Sequence, residues 1–264
     1  MLGLRKGRYV ARLAATATDV AAAQRLRFRA FRAGGKAGAR DVDDFDAVCA
    51  HVLVEEARSG RLVCCFRLLV LEGGAEISRS YSAQYYDLSA LAGFPGRMAE
   101  MGRFCIDPDL SDGDILRVAW GAMTGFVDEQ RIEMLFGCSS FAGTETQAYH
   151  DAFAMLRARH LAPKRWLPRV KAPDVFRFAR RLRRAPDMKR AMLTMPPLLR
   201  TYLLMGGWVS DHAVVDRDLN TLHVFTGLEI RAIPPARARL LRAIAGEAAL
   251  PRTLPEIATH ASTC

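Results

Sequence analysis

The sequence lacks an apolar run near the roughly 20 residues that a bilayer-spanning helix needs; the longest, 118–127, stops at about half that. It also lacks paired cysteines. None of the six (Cys49, Cys64, Cys65, Cys105, Cys138, Cys264) stands in a C-x-x-C pair or at metal-like spacing from the six histidines. That argues against a structural zinc and predicts free thiols in a reducing compartment, with no metal site. No Gly-x-Ser/Cys-x-Gly elbow is present, so Cys138 in "FGCSSF" reads as a small buried hydrophobe and not as a nucleophile. Near the start, Arg12 and Asp19 interrupt the residues after Arg5, Lys6 and Arg8 before a signal-peptide core develops, and no Met-Gly start allows myristoylation. The chain is expected in the cytoplasm. No recognition motif or stacking platform for nucleic acid is visible, and no nucleic-acid partner is expected.

What is present suits one large globular domain: 264 residues, half hydrophobic and a quarter charged. The net charge of +10 is unevenly placed. Within 163–200, twelve Lys and Arg face only Asp174 and Asp187, so this stretch accounts for the whole excess. On a helical wheel Val175, Phe178, Ala179, Leu182 and Ala185 share one arc, and Arg177, Arg180, Arg181, Arg183 and Arg184 the other, with Phe176 out of place. The pattern predicts a basic amphipathic helix that lies on an anionic membrane surface or receives an acidic protein. Phe178, Arg180, Arg181, Leu182 and Arg184 are its docking residues.

Periodicity elsewhere predicts a strand over 9–15, then a helix capped by Thr18 or Asp19 and ending at Phe31. A polar loop with Gly34, Gly35 and Gly38 leads into the acidic run "DVDDFD". Strands over 51–56 and 61–71 flank Ser59-Gly60 as a hairpin. After a long loop come a strand over 98–107, a helix over 112–131, a strand over 133–141 and a helix over 144–160. Beyond the basic stretch are a helix over 197–204, strands around 212–215 and 222–230, and a last helix from Pro234-Pro235 through Ala245. This is an α/β chain with a mixed sheet. Its expected divisions are a core at 1–162, a basic amphipathic insertion at 163–200, a return at 201–250 that completes the same domain, and a flexible tail at 251–264.

The strand "MAEMGRFCID" at 98–107 poses a problem, because it carries Glu100 and Arg103. Burying charge is costly unless each charge is paired or employed. Residues three apart on a regular strand also point to opposite faces. A bulge near Gly102 would slip the register and turn both toward one site.

The element order matches the GNAT acyltransferase fold, and the motifs narrow it. Arg27 and Phe31 stand four apart on the first helix, followed by Asp43 and Asp46 in "DVDDFD", Arg67 in "CFRLL", and Glu100 and Arg103 in "EMGRF". This spaced set resembles the acyl-homoserine-lactone synthases. "GRFCIDPD", "LFGCSSF", "YHDAFAMLRARHLAP" and "YLLMGGWVSDHAVVDRDLNTLHVF" are similar to the bacterial L-ornithine Nα-acyltransferases, sometimes labelled hemolysin-like. The resemblance implies a GNAT-like acyl-CoA N-acyltransferase fold with a basic helical insertion. It implies transfer of a (3-hydroxy)fatty acyl group from an acyl carrier protein (ACP) thioester to the α-amine of L-ornithine. The product would be lyso-ornithine lipid, in the first step of ornithine lipid biosynthesis. After Asp107, "PDLSDGDILR" departs from the general GNAT pattern: the Arg/Gln-x-x-Gly-x-Gly/Ala loop that grips the pyrophosphate of coenzyme A is missing. That favours 4′-phosphopantetheine tethered to ACP as the donor, with no permanently bound cofactor. The His-x4-Asp of glycerolipid acyltransferases is missing too, which implies a separate O-acyltransferase for the second chain. The implied place is peripheral, on the cytoplasmic face of the inner membrane. Two alternatives stay open: an N-acyltransferase for another amine, as in a lactone synthase, or a non-catalytic basic membrane-binding protein on the same scaffold.

The resemblance assigns roles. Glu100 would take a proton from the attacking amine, directly or through water. Arg103 would hold Glu100 or the substrate carboxylate with its planar fork. Backbone N–H groups around Phe104, Cys105 and Ile106 would meet the oxyanion. Ser139, Ser140 and Phe141 would line the thioester channel. Asp43 and Asp46 would read cationic ornithine or tie their loop to Arg67 and Arg27, and Phe31 would line the acyl pocket or belong to the core.

Overall fold

A computed structural model describes residues 3–32 and 38–246. The strands are β1 (Gly3–Lys6), β2 (Tyr9–Leu13), β3 (Ala50–Glu56), β4 (Leu62–Leu71), β5 (Tyr86–Asp87), β6 (Met98–Ile106), β7 (Met134–Ala142), β8 (Arg169–Val170), β9 (Val175–Phe176), β10 (Trp208–Val209), β11 (Ala213–Asp216) and β12 (Thr221–Glu229). The helices are α1 (Ala17–Phe31), α2 (Gly113–Glu129), α3 (His150–Arg159), α4 (Phe178–Arg181), α5 (Met188–Thr194), α6 (Pro197–Leu204) and α7 (Pro235–Gly246). The main sheet runs β1-β2-β3-β4-β6-β7-β12-β11-β9, with β10 also against β12. Every junction is antiparallel except β6–β7.

The central strand β4, "LVCCFRLLVL", is apolar on both faces because both are covered. Val52, Val54, Phe66 and Leu68 pack in one cluster with α2. Leu53, Cys65 and Cys105 pack in another, beneath Ala23 and Leu26 of α1. Thr16 caps α1 in a reciprocal box with Asp19, two residues before the expected cap at Thr18. The helix expected over 144–160 begins only at His150, after a short 3-10 turn.

Two irregularities shape the centre. β6 and β7 share only the pairs Met98↔Met134, Ala99↔Leu135 and Glu100↔Phe136, and then part, while β7 stays paired to β12 along its full length. Gly137 sits at the parting with φ +155°; a Cβ there would lie 2.3 Å from the Met101 carbonyl oxygen. Only glycine lets the strands pass so closely. On the other side of β6, Phe66 of β4 faces both Arg103 and Phe104, since the ladder skips from Arg67↔Gly102 to Cys65↔Cys105. Arg103 takes φ +53° at this bulge.

The basic stretch overturns one expectation. It forms no long amphipathic helix: Val175 and Phe176 are a strand paired with Val214 and Ala213, and the helix after them, α4, is a single turn ending at Arg181. Phe178 and Leu182, expected as membrane anchors, are buried in the core. The reason is packing: the Phe178 ring stacks on Phe153 of α3 at 5.1 Å, and Phe176 lies 5.6 Å from the same ring. Burying three large side chains against α3 outweighs a one-sided helix. Arg180, Arg181 and Arg184 do remain on the surface. Among the described residues no helix is long and apolar enough to cross a membrane. Gly34, Gly35 and the expected tail 251–264 lie outside the described residues.

Candidate active site

Where β6 and β7 part, a cleft of about 700 Å³ opens, and Glu100, Arg103 and Phe104 line one wall. The bulge is the physical reason that Glu100 and Arg103 reach the same cavity despite their spacing. They do not hold each other. The Glu100 carboxylate accepts the backbone N–H of Tyr81 (2.7 Å) and of Ser82 (2.7 Å), and the Ser82 hydroxyl (2.5 Å). Burial raises its pKa against the pull of those three donors. Arg103 points instead to the acidic loop, bonding Asp41 (3.0 Å) and Asp43 (3.1 Å) with its guanidinium over the Tyr81 ring at 5.0 Å. Of the two expectations for Arg103, holding Glu100 or holding the substrate carboxylate, the first is corrected: its guanidinium is taken by Asp41 and Asp43.

Behind that wall the charges close into a ring. Arg27 pairs with Asp41 (2.8 Å) and Asp46 (2.6 Å), and Arg67 with Asp46 (2.7 Å) and, through Nη2, with Asp43 (2.7 Å). Arg103 joins Asp43 back to Asp41. Three guanidiniums and three carboxylates alternate, each touching two of the other kind. Arg27 is 1% exposed. Burial raises the Asp43 and Asp46 carboxyls, but the guanidiniums more than offset this and hold both below the ordinary carboxylate range. Arg27, Asp43 and Asp46 stand behind the lining residues, whereas Arg67 and Phe31 line the cleft. Asp46 is tied to Arg27 and Arg67, and Asp43 to Arg67, through these pairs.

Phe104 stacks on Phe66 at 5.6 Å and lines the cleft. Cys105 and Ile106, expected there, do not. The ladder resumes at Cys105, whose Sγ lies beneath α1 at 3.5 Å from that of Cys65, and Ile106 packs into the core. Ser139, Ser140 and Phe141 line the opposite wall. Cys138 sits among them with its thiol pushed up to about 12 by burial, which keeps it from acting as a thiolate. Among the described residues no group of three or more His, Cys, Asp or Glu could hold a metal ion.

Nothing in the sequence pattern singles out Tyr86, Asp216, Thr221 and His223. His223 is buried and lines the cleft. The Tyr86 hydroxyl donates to the His223 carbonyl at 2.8 Å and also lies 3.1 Å from Nδ1. A carbonyl only accepts, so the phenol's one hydrogen is used there, and its oxygen must accept from Nδ1–H. That tautomer leaves Nε2 with a lone pair, and Nε2 has no partner among the described residues. Burial, and then His212, lower the imidazole pKa to about 4. At the mouth, Arg32 at the end of α1 reaches across the cleft to Asp218 in the β11–β12 turn at 2.9 Å.

A short parallel junction, a parting of its two strands and a bulged carboxylate-bearing strand beside the gap define the class, and residues 26–121 match the model of the GNAT acetyltransferase domain. The chain is an acyltransferase of that fold. It is 34% identical over 238 residues to an L-ornithine Nα-acyltransferase of Rhodobacter capsulatus, covering 85% of this chain and 91% of that protein. It is 30% identical to one of Agrobacterium fabrum, over 87% of this chain and 83% of the relative. The solved structure of FeeM, an N-acyl amino acid synthase from uncultured soil microbes, aligns with TM-score 0.49 and 13% identity over 86% of this chain and 94% of that one. The chain belongs to the L-ornithine Nα-acyltransferase family.

Proposed function

We propose that the protein moves a fatty acyl group, often 3-hydroxylated, from an ACP thioester to the α-amine of L-ornithine. Near-full-length similarity to relatives named for that acceptor carries the reading. The product is lyso-ornithine lipid, and a separate O-acyltransferase adds the second chain. Support for ACP in place of free acyl-CoA lies at the start of α2, where a GNAT enzyme would seat a pyrophosphate on backbone N–H groups. Here the Asp112 carboxylate already accepts from the Asp114 N–H, the Tyr9 hydroxyl (2.8 Å) and Arg8, and Asp114 adds a second negative charge in the first turn. Anions at that end repel a diphosphate.

The amine nitrogen attacks the thioester carbon, the C–S bond breaks, and the thiol leaves on phosphopantetheine. Glu100 takes the proton that the amine loses and passes it to the departing sulfur. Backbone donors at Arg103 and Phe104, which take no place in the ladder, meet the oxyanion; such donors contribute roughly 3 kcal/mol. The exposed Arg180, Arg181 and Arg184 attract acidic ACP or the anionic cytoplasmic face of the inner membrane through charge alone.

Purified protein supplied with acyl-ACP or acyl-CoA and L-ornithine tests the reading. Amide-linked acyl-ornithine is expected with acyl-ACP. Product from acyl-CoA alone would overturn the donor, and no product from either donor would overturn the acceptor. Glu100→Gln should lower kcat about 100-fold, with the urea midpoint reported alongside to separate chemistry from folding.

A further inference from the structure

One wall of the cleft holds polar groups that nothing among the described residues satisfies. Asp216 pairs with Thr221 across the β11–β12 ladder, and His223 follows Thr221 by two residues, so all three side chains share one face. All three line the cavity. The Thr221 hydroxyl and His223 Nε2 are buried without a hydrogen-bond partner among the described residues. Asp216 is 6% exposed, and its one bond is Oδ1 accepting the Leu219 N–H at 3.0 Å. It has no cationic partner among the described residues. The arginines near it in sequence and at the mouth are engaged elsewhere: Arg217 pairs with Asp174 and Arg32 with Asp218.

Buried carboxylates are paired or they serve a ligand, because desolvating the charge is otherwise too costly. What the wall offers is a carboxylate oxygen, a hydroxyl oxygen and an imidazole lone pair: three acceptors. A primary ammonium carries three N–H donors and no acceptor. We infer that Asp216, Thr221 and His223 form the subsite for the side-chain ammonium of the acceptor. For ornithine this would be the δ-ammonium, so the assignment rests on the acceptor reading above. The Tyr85 ring packs edge-on against His223 at 5.0 Å. The subsite explains how a cleft backed by a neutral ring of charges selects a diamino acid.

Asp216 also caps the hairpin turn, and Asp216→Asn separates the two roles, since the amide oxygen still accepts the Leu219 N–H while the charge is gone. Steady-state kinetics compare L-ornithine with L-norvaline, which lacks the δ-amine. The variant should raise KM for ornithine about 10- to 100-fold, leave kcat within about twofold and leave norvaline unchanged. An unchanged KM for ornithine overturns the subsite. Wild-type protein that ignores ornithine would overturn the acceptor reading instead. Calorimetry with 1,4-diaminobutane then decides the subsite without acyl transfer: wild-type binding at least about tenfold tighter than Asp216→Asn supports it, and equal or absent binding overturns it.

Discussion

The two walls of the cleft treat charge in opposite ways. On the α1 and β4–β6 side, Arg27, Arg67 and Arg103 meet Asp41, Asp43 and Asp46 in a closed ring with no charge left over. On the β7–β12–β11 side, Asp216, Thr221 and His223 keep unanswered acceptors. Burial is similar on both walls, so burial alone marks neither as functional. The difference lies in completeness. A satisfied network orders the loop that backs the site, while an unsatisfied one records the shape of what is to bind.

The comparison breaks hardest at Arg27. Arg27→Ala leaves three buried carboxylates to two guanidiniums, one negative charge in excess, and urea unfolding should show a loss of about 3–5 kcal/mol. No single change on the open wall should cost as much at neutral pH. Acid should reach the open wall first. His223 is depressed in the fold to about 4 from an ordinary value of 6.5, so the unfolded chain takes its proton first. The stability this contributes is present above pH 6.5 and lost as pH falls toward 4, about 3 kcal/mol in all. His223→Gln should flatten the midpoint-versus-pH curve over that window. Asp43 and Asp46 are depressed below the ordinary carboxylate range, so their contribution should fade only at lower pH.

A third change attacks the seam between the walls. Gly137→Ala drives a methyl into the Met101 carbonyl and should cost about 1–3 kcal/mol, read by thermal unfolding and by loss of transfer activity. The smallest effect belongs to the exposed Arg32–Asp218 pair across the mouth. Arg32→Ala should shift stability by less than about 1 kcal/mol, and that small shift should vanish in 1 M salt.

Much of the paired wall was legible in the sequence. Glu100 and Arg103 announced themselves as charges inside an apolar strand, and "DVDDFD" with Arg27 and Arg67 offered partners close in type and number. Asp41 stood in the same acidic run and was passed over, because nothing local separates it from Asp43. The open wall carried no such mark. Asp216 and His223 are unexceptional in "VVDRDLNTLHVF", and only the hairpin register sets them on one face. β1 went unread because it is an edge strand whose buried apolar side chain is Leu4. The basic stretch misled because five apolar residues fit a helical arc. Phe176, which did not fit, was the residue reporting the strand.

A closed ring also constrains how the protein can change over generations. Any single replacement among the six that removes a charge leaves an odd one inside the protein. Viable changes of charge should therefore alter an arginine and an aspartate together. The hexad would then be inherited as one unit, while Thr221 and His223 stay free to vary with whichever amine a descendant comes to use.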